Sequence, residues 1–481
     1  MSVLDNIEPK EVFYYFEEIC NIPHGSYNEK QLSDFCVTFA EKHGLEVIQD
    51  DLNNIIIRKE ATKGYEELPA IIIQGHLDMV CEKDENCNID FEKDGLRLKI
   101  DGDYIKAEGT TLGGDDGIAI AYALAILASD TLKHPSIEAI FTVSEEVGML
   151  GAAGIDLSVV KGRKVLNIDA EEEGVFLTSC AGGSRIECNI PVAYEEKVGR
   201  KIEIGLSGLR GGHSGTEIQR GRANANILLG RFLMELDKQI AYDLVSIRGG
   251  CKDNVIPVES RAVILLQEEH IPPFDKIMQK CQATYRNEFS VADPDILLQA
   301  NFMTYGKNMV LVQESKSHVI MALNAFPNGI QSMSRHMQGL VETSLNLGIL
   351  RTEDKKIIVT ILVRSSVGSA KEYLVQKIGY ITHYLGGKAE VKSEYPAWEY
   401  KEKSKLREDM TLIYQQMYGR KPRMEAIHAG LECGLLSGKI KEMDCVSFGP
   451  DIKDIHTTKE QLSISSTKRI WEFLVKVIAC K

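Results

Sequence analysis

Short runs of apolar, β-branched residues alternate along the chain with stretches in which apolar residues recur at helical spacing. The runs that predict strands in the first part of the chain are 54–57, 70–74, 137–143 and 164–168. The helical spacing is clearest at 116–129 and again at 463–478. Strands that alternate with helices in this way predict an α/β fold, in which helices cover a central sheet.

The segment between about residues 185 and 394 has an alternation of its own and predicts a second unit. Its strand-like runs are 201–206, 261–266, 356–363 and the residues near Glu390, and its helix-like runs are 222–236 and 371–385. We interpret this segment as an α+β domain inserted into the first one. A chain of 481 residues is long enough for two or three domains that each bury a core.

Charge and length of the apolar runs exclude two classes of function. Lys and Arg number 56 against 70 Asp and Glu, and the net charge of −14 repels phosphate backbones and anionic lipid surfaces. The longest apolar stretch, 118–128, is shorter than the roughly 20 residues of a membrane-spanning helix. We therefore expect no nucleic-acid partner and no membrane partner.

The cysteines and the first residues of the chain favour a cytoplasmic location. Residues 1–10 lack the basic and apolar regions of a secretory signal. The 11 cysteines include no CxxC pair, which favours free thiols in a reducing compartment. Cys180 and Cys188 are not convincing zinc ligands for the same reason.

Polar side chains directly follow several predicted strands. His76 and Asp78 come just after the apolar run 71–73, and residues two apart in an extended backbone project to the same side. A carboxylate in that position can fix the tautomer of an imidazole that binds a divalent metal. An isolated motif of this kind is more often a surface turn with a salt-bridged histidine.

A glycine-rich turn, 113–117, precedes the helical run. Its glycines permit an unusual backbone, and an aspartate within it can present both oxygens to a pair of metals. The pattern alone leaves open whether Asp115 or Asp116 does so, and a helix N-cap is the common alternative use of such an aspartate. Two adjacent carboxylates argue against a phosphate-binding loop.

Three more acids and a second histidine follow strand-like runs. Glu145 and Glu146 follow 137–143, and because neighbours in a turn point in different directions, one can bind a metal while the other takes the proton of a water. Asp169 and His456 also lie where strands give way to loops. Taken singly, these residues fit surface turns and caps equally well. Together with His76, they supply the mixed nitrogen and oxygen ligands of a two-metal hydrolase.

The motifs occur in the order found in dinuclear zinc exopeptidases and deacylases of the aminoacylase and carboxypeptidase-G type, which the chain therefore resembles. The matching motifs are His76-Leu77-Asp78, Gly113-Gly114-Asp115, Ser144-Glu145-Glu146-Val147-Gly148, Asp169 and Asp454-Ile455-His456. Segments 75–80, 208–215 and 428–434 are similar to motifs of one branch, the aminoacyl-histidine dipeptidases, also called Xaa-His dipeptidases or bacterial carnosinases. The resemblance runs from the start of the chain to its last helix.

The resemblance implies a catalytic domain with a central mixed sheet, formed by residues 1–186 and 395–481, and a lid or dimerisation domain at 187–394. It implies two Zn²⁺ ions, for which Mn²⁺ or Co²⁺ can substitute. The metal ligands it implies are His76 and Asp169 for one ion, Glu146 and His456 for the other, and Asp115 as the bridge. Its catalytic residues are Glu145 as general base and Asp78, which orients His76. Asp116 stands where the family frequently has Asn, and it adds a negative charge beside the metals.

The resemblance also assigns four substrate-binding residues: His213, Asn254, Arg364 and Gly430. An arginine can hold a carboxylate with two hydrogen bonds, and histidine or asparagine can donate to an oxyanion at the scissile carbonyl, whereas Gly430 offers its backbone. Solvated loop residues are the alternative for Asn254 and Arg364. In several relatives a histidine in the setting of His213 reaches the substrate of the partner subunit, so the resemblance implies a site shared across a homodimer.

The activity that the resemblance implies is that of a zinc-dependent dipeptidase for unblocked dipeptides, including Xaa-His dipeptides such as carnosine. The alternatives on the same two-metal site are a broad di- or tripeptidase and a deacylase of N-acyl amino acids. A binding or scaffold protein on an inherited hydrolase fold is an alternative from another class. A missing ligand or base would favour it, and the sequence lacks none of them.

Overall fold

The computed structural model describes residues 3–481 of the chain. The α-helices of these residues are α1 (Lys10–Cys20), α2 (Lys30–Lys42), α3 (Gly114–Ala128), α4 (Leu150–Gly154), α5 (Ala225–Asp237), α6 (Ile271–Glu288), α7 (Gln313–Ala325), α8 (Gly368–Tyr384), α9 (Lys405–Tyr418), α10 (Glu432–Lys439) and α11 (Ile464–Ile478). Two short 3₁₀ helices are Ile218–Arg220 and Glu268–His270.

The strands fall into three sheets. In chain order they are β1 (Glu46–Gln49), β2 (Ile55–Lys59), β3 (Ile71–His76), β4 (Leu98–Asp101), β5 (Tyr104–Ala107), β6 (Ile137–Thr142), β7 (Lys164–Asn167), β8 (Val175–Cys180), β9 (Gly182–Pro191), β10 (Tyr194–Ser207), β11 (Asp243–Gly249), β12 (Ser260–Leu266), β13 (Leu297–Leu311), β14 (Gly329–Met333), β15 (Val341–Glu353), β16 (Lys356–Ser365), β17 (Lys388–Tyr395), β18 (Arg423–Ile427), β19 (Asp444–Ser447), β20 (Ile452–Lys453) and β21 (Gln461–Ser463).

The chain divides into two compact units that interleave in sequence. The first comprises the chain up to Ser179 together with Tyr400–Ala426 and Leu431–Lys481, and the second comprises Cys180–Glu399 and Ile427–Gly430. The interpretation of the first unit as the catalytic domain and of the second as a lid or dimerisation domain stays a prediction, as do the boundaries at 186 and 394.

The first unit is built around a mixed eight-stranded sheet in the order β1-β2-β6-β3-β7-β19-β8-β18. Its middle strands β6, β3, β7 and β19 run parallel, whereas β1, β2 and β8 pair antiparallel with their neighbours. Helix α3 is buried on all sides from Gly117 to Leu127, because its sequence there is apolar all round. Because β6, β3, β7 and β19 are parallel, their carboxyl ends lie at one edge of the sheet, where α3 also begins.

The second unit is a nine-stranded antiparallel sheet in the order β13-β10-β12-β11-β15-β16-β9-β17, with β14 added beside β15. Helices α5, α6, α7 and α8 pack on this sheet and close a separate apolar core. Within residues 3–481, no helix combines the length and the apolar character that a membrane crossing requires.

The α/β class predicted from the sequence is confirmed. The strands β2, β3, β6 and β7 and the helices α3 and α11 lie within two residues of their predicted bounds. In the second unit the prediction at 201–206 covers less than half of β10, because the polar outer part of this strand pairs with β13 and carries no apolar run.

Candidate active site

His76 is the last residue of β3 and is almost fully buried. Its Nδ1 lies 3.0 Å from the backbone oxygen of Asp78 and donates to it, so its Nε2 faces Asp115 Oδ1 at 3.1 Å and Asp169 Oδ1 at 3.7 Å. Burial opposes protonation of this ring, but hydrogen bonds to the carboxylates outweigh burial and raise the pKa of His76 well above its usual value. The carboxylates of Asp115 and Asp169 therefore both face Nε2 and favour a positive charge there.

The two carboxylate oxygens of Asp115 face two different imidazoles. Oδ1 lies 3.1 Å from His76 Nε2, and Oδ2 lies 3.4 Å from His456 Nε2. The same His456 nitrogen is 2.9 Å from Glu146 Oε1. Asp115 has non-helical backbone angles although it lies at the start of α3, which lets its side chain point out of the helix. Asp115 thus places one carboxylate oxygen beside each of the two imidazoles.

Asp78 holds the turn that carries the two glutamates. Its Oδ1 accepts a hydrogen bond from the backbone nitrogen of Glu145 at 2.8 Å, and its Oδ2 accepts from that of Glu146 at 3.2 Å. The hydroxyl of Ser26 donates to Oδ2 at 2.8 Å. The burial of Asp78 favours its neutral form, but the interactions with His76 and with these donors lower its pKa. Asp78 is therefore an anion that orders both His76 and the glutamate turn.

Two acids of the cluster, Glu145 and Asp169, hold protons more tightly than isolated carboxyls. Burial, reinforced by Asp169, Glu432 and Glu146, raises the pKa of Glu145 well above its usual value, against the opposing charge of His76. Burial and neighbouring acids raise the pKa of Asp169 to about 6. Within residues 3–481, none of these carboxylates pairs with Lys or Arg. Their cationic partners within that range are His76 and His456, and a divalent cation bound among them would neutralise further negative charge.

The donor set fits divalent cations. Three overlapping groups have ligand atoms within 4.8 Å of one another: His76, Asp116 and Asp169; His76, Glu145 and Glu146; and Asp115, Glu146 and His456. Imidazole nitrogen and carboxylate oxygen are ligands of Zn²⁺, Mn²⁺ and Co²⁺ alike. The structure thus brings all five sequence-predicted metal ligands into one cluster at the carboxyl edge of the sheet.

Asp116 lies behind His76 rather than beside His456. Its Oδ2 accepts a hydrogen bond from the backbone nitrogen of His76 at 3.1 Å. Gly75 makes room for this contact, since a Cβ there would lie 2.5 Å from Asp116 Oδ2. Burial and the charge of Asp169 raise the pKa of Asp116 well above its usual value. Asp116 therefore holds the backbone of His76 in place. Its carboxylate also belongs to the donor group of His76, Asp116 and Asp169.

The second unit gathers Arg364 and His213 with Tyr395, which the sequence did not single out, and with His428 of the segment 428–434. Arg364 Nη1 donates to the hydroxyl of Tyr395 at 2.9 Å, and Arg364 and Tyr395 both lie opposite Gly183 on neighbouring strands. A Cβ at Gly183 would collide with the Tyr395 ring, so this glycine allows the contact. Nearby, His428 Nε2 lies 2.7 Å from the hydroxyl of Ser344.

The tautomer of His213 follows from its backbone contacts. Its Nδ1 accepts hydrogen bonds from the backbone nitrogens of Gly215 and Thr216 at 3.3 and 3.2 Å. The pKa of His213 is lowered by burial and by the charge of Arg364, which favours the neutral ring, and Arg364 Nη2 lies 3.5 Å from His213 Nε2. A Cβ at Gly215 would lie 3.0 Å from the His213 ring and 3.3 Å from Arg364 Nε. The glycine frame of this motif therefore allows the close packing of the two side chains.

Asn254 and Gly430 are the other two substrate-binding candidates. The backbone oxygen of Asn254 accepts from Ser214 N at 2.8 Å, which joins its loop to the segment of His213. The amide of Asn346 donates to the backbone oxygens on either side of Asn254, at 2.8 Å each. Gly430 ends the short segment Ile427–Gly430 of the second unit, whose Ala429 accepts from the backbone nitrogen of Ala181 at 3.0 Å.

Three buried acids of the first unit support the cluster and were missed by the sequence analysis. Glu29 accepts from the backbone and hydroxyl of Ser144, Glu432 accepts from Gln74 and Thr142, and Glu460 accepts from backbone nitrogens around Gly114. None of the three has a motif of its own. Only the positions of two of them in the sequence could have indicated a role: Glu460 is four residues from His456, and Glu432 lies within the segment 428–434.

The chain belongs to the peptidase family M20/M25/M40, whose family model matches residues 72–479. It is 36% identical over 485 residues to the cytosol non-specific dipeptidase of Escherichia coli strain K12, and the match covers 99% of each chain. The crystal structure of aminoacylhistidine dipeptidase from Vibrio alginolyticus is similar with a TM-score of 0.92 at 36% identity, over 99% of this chain and 97% of that chain. Aminopeptidase PepT from Bacillus cereus ATCC 10987 shares the fold, with a TM-score of 0.56 at 15% identity over 98% of each chain.

The family assignment confirms the resemblance found in the motifs. The chain is a metallopeptidase, and therefore a hydrolase. The E. coli relative is named for the cytosol, in agreement with the cytoplasmic location expected from the sequence.

Proposed function

We propose that this metallopeptidase is a dipeptidase that uses two Zn²⁺ ions to hydrolyse unblocked dipeptides, including Xaa-His dipeptides such as carnosine. The observation that carries the proposal is the similarity over the full chain, at 36% identity, to relatives named as dipeptidases. The proposed preference for substrates with a C-terminal histidine is supported by the structural similarity to an aminoacylhistidine dipeptidase.

The metal site of the proposal consists of five residues. His76 and Asp169 would hold one ion, Glu146 and His456 would hold the other, and Asp115 would serve both. The contacts of Asp115 Oδ1 with His76 and of Oδ2 with His456 support the bridging role. When bound, such ions polarise the scissile carbonyl and make a water more acidic. Asp78 fixes the ring of His76, because it keeps the proton on Nδ1 and leaves Nε2 as the ligand atom.

The proton transfers are assigned to Glu145. It accepts a proton from the attacking water, whose oxygen forms the new bond to the peptide carbon. It then returns that proton to the amine nitrogen as the peptide bond breaks, so the products are two amino acids and the glutamate ends as it began. Glu145 belongs to one donor group with His76 and Glu146, and this position beside the proposed metal ligands supports the role.

The substrate is held by the candidates of the second unit. His213 donates its Nε2 proton to the oxyanion that develops on the carbonyl oxygen, and the hydrogen bonds that its Nδ1 accepts support that assignment. Arg364 binds the substrate carboxylate with its guanidinium, which Tyr395 holds in place. Asn254 and the backbone of Gly430 are the other two substrate-binding groups of the proposal.

A second candidate function is a dipeptidase of broad specificity. It is favoured by the E. coli relative, which is named a non-specific dipeptidase. This candidate uses the same metal ligands and the same base, so the two differ only in the ratio of kcat/KM values between Xaa-His and other dipeptides.

The test is a substrate panel measured on protein of known metal content. Carnosine, Ala-His, Leu-Gly, a tripeptide and an N-acetylated amino acid are compared with Zn²⁺, Mn²⁺ or Co²⁺ restored to apoprotein, and elemental analysis counts the ions. The proposal expects two ions per chain and the highest kcat/KM on Xaa-His dipeptides. Equal values on Leu-Gly favour the broad dipeptidase, and activity confined to the tripeptide or the acetylated substrate overturns both. Glu145→Gln, purified in parallel, controls for contaminating peptidases.

A further inference from the structure

Glu460 is a buried acid that accepts hydrogen bonds from the backbone of a distant loop. Its Oε2 accepts from the nitrogens of Leu112 and Gly113 at 2.8 and 3.2 Å. Its Oε1 accepts from those of Gly114 and Asp115 at 2.8 and 3.4 Å. The side chain is 3% exposed, so water does not replace these contacts. One carboxylate thus serves four consecutive backbone donors.

The loop needs such an acceptor because it cannot satisfy these donors itself. Gly113 has a φ of +69°, and Asp115 has non-helical angles, so the chain turns sharply before α3 becomes regular. The first nitrogens of a helix have no partner within the helix. Gly113 cannot be replaced easily, since a Cβ there would lie 2.9 Å from Met79 Sδ and 3.2 Å from His24 Nε2. The carboxylate also complements the positive end of the α3 dipole.

Glu460 belongs to the segment that carries His456. The two residues lie in the loop between β20 and β21, four residues apart, and β21 pairs with β5 of the same small sheet. Asp115 is 345 residues away in sequence. The hydrogen bonds of Glu460 therefore join the loop of Asp115 to the loop of His456, whose nitrogen lies 3.4 Å from Asp115 Oδ2.

We propose that Glu460 is a positioning residue that sets Asp115 against His456 and so determines the affinity of the ion held by Asp115, Glu146 and His456. The inference rests on the proposed function for the metal site but adds a residue outside the ligand set. Removing a residue that hydrogen-bonds to a metal ligand typically lowers metal affinity by about 10- to 100-fold. Asp115 and His456 come from distant parts of the chain, so a loss of their alignment weakens this ion more than the one held by His76 and Asp169.

Glu460→Gln is the principal variant. The amide keeps the size of the side chain but offers one acceptor oxygen, and its NH₂ group turns a donor toward backbone donors. We expect the number of ions retained after dialysis to fall from two toward one per chain. The apparent Kd of the weaker ion, measured by competition with a chromophoric chelator, is expected to rise about 10- to 100-fold. Excess metal is expected to restore much of kcat, which a general loss of structure would not permit.

Glu138→Gln is the matched control. Glu138 is also a buried acid of the first unit, and it accepts from the backbone nitrogens of Lys161 and Gly162 at 2.7 to 3.1 Å. It stands near the start of β6, at the edge of the sheet opposite His76, which pairs with Thr142 at the other end of that strand. We expect this variant to lose thermal stability and to bind both ions with the affinity of the unaltered protein.

The outcomes separate the inference from the proposed function. Two ions bound at unaltered affinity in Glu460→Gln, or an equal loss of affinity in Glu138→Gln, overturn the role of Glu460. If Glu460→Gln does not fold, Glu460→Asp replaces it: this variant keeps both oxygens but shortens the reach, and unaltered affinity for both ions in it overturns the role as well. An unaltered protein that binds two ions but cleaves no dipeptide refutes the proposed function alone. One that binds fewer than two refutes the two-ion site and the inference together.

Discussion

Glu145 and Glu146 are neighbours in the chain, yet their carboxyl groups have different surroundings. Both backbone nitrogens donate to Asp78, which fixes the turn. The Glu146 carboxylate lies 2.9 Å from His456 Nε2, within a group of metal-binding donors. The Glu145 carboxyl forms no hydrogen bond within residues 3–481 and remains available for a proton. The two residues are therefore suited to different tasks.

The first prediction separates these tasks by substitution. Glu145→Gln is expected to retain both ions and to lower kcat by at least about 10²- to 10⁴-fold, the usual contribution of a general acid and base. Glu146→Gln is expected instead to lower the metal content, because an amide is a weaker ligand than a carboxylate. Elemental analysis and kcat measured on the same samples check both statements. Loss of metal from Glu145→Gln with retention in Glu146→Gln reverses the assignment.

His428 gives the second unit a dependence on pH. Its ring is buried, and its Nδ1 has no hydrogen-bond partner among residues 3–481. Burial, with the charge of Arg364 and the neighbouring ring of His213, lowers the pKa of His428 from 6.5 to about 3. The unfolded chain therefore takes up this proton between pH 6.5 and 3 while the folded chain does not. The contribution of neutral His428 to stability is complete above pH 6.5 and is lost as the pH falls toward 3.

The second prediction follows from that sign. Lowering the pH from 7.5 to 4.5 is expected to reduce the free energy of unfolding less in His428→Gln than in the unaltered protein. The difference is expected to reach about 2 to 3 kcal/mol, because the contribution of neutral His428 falls by about 1.4 kcal/mol per pH unit below 6.5. Urea unfolding followed by circular dichroism at both pH values measures the difference. The exposed His383 of α8 offers a control, and His383→Gln is measured in parallel. Equal pH dependence in all three proteins contradicts the prediction.

At the residue scale, the sequence indicated the donor residues that the fold brings together better than the residues around them. His76, Glu146 and Asp169 were found because each follows an apolar strand, and parallel strand ends converge at one sheet edge. Glu460 and Tyr395 escaped because their partners are set by tertiary contacts: Glu460 meets backbone amides 345 residues away, and Tyr395 meets Arg364 across a glycine. Such contacts leave no periodic pattern in a single sequence.

Elements from the end of the chain complete the first unit. Strand β19 pairs in parallel with β7, and α11 contributes Phe473 to the core beside Phe176 and Phe448. The loop after β20 presents His456 with a φ of +60°, a conformation that costs a non-glycine residue about 1–3 kcal/mol unless its surroundings hold it. This C-terminal segment is thus folded together with residues before position 180.

The third prediction uses that loop. His456→Ala is expected to lower the affinity for one metal ion and the activity with it, because the site loses its imidazole donor while Asp115 and Glu146 remain. Stability without metal is expected to change little, since His456 is an exposed residue with strained backbone. Elemental analysis and thermal unfolding of the apoprotein measure the two effects. Normal metal content and activity in this variant contradict the assignment of His456 as a ligand.

At the scale of elements, strands with apolar runs were predictable and long polar strands were not. The strands that end at the candidate metal site are buried on both faces and therefore appear as continuous apolar stretches. In contrast, β13 contains exposed residues along most of its 15 positions and is held by its pairing with β10. Its residues carry no apolar run from which the strand could have been predicted.

The molecule as a whole divides its chemistry between its two units. The donor groups that could hold a metal all belong to the first unit, whereas His213, Asn254, Arg364 and Gly430 belong to the second. Neither unit is a continuous stretch of chain, since the second returns at Ile427–Gly430 between two segments of the first. A peptidase that needs both sets of residues can draw them from one chain or from two, and the resemblance implies two.

The fourth prediction concerns the sharing of sites between chains in the homodimer that the resemblance implies. His213→Ala is expected to keep both ions and to lower kcat by about 10²- to 10³-fold, the usual cost of losing one oxyanion donor. Glu145→Gln is expected to be similarly inactive for a different reason. When the two variants are mixed and exchange subunits, one site of each hybrid dimer receives an intact His213 from one chain and an intact Glu145 from the other. Activity is therefore expected to return, up to one restored site per hybrid dimer. Native mass spectrometry counts the hybrids, and the mixture's activity is compared with that of each variant alone; hybrid dimers without recovered activity show that His213 does not act on the partner's substrate.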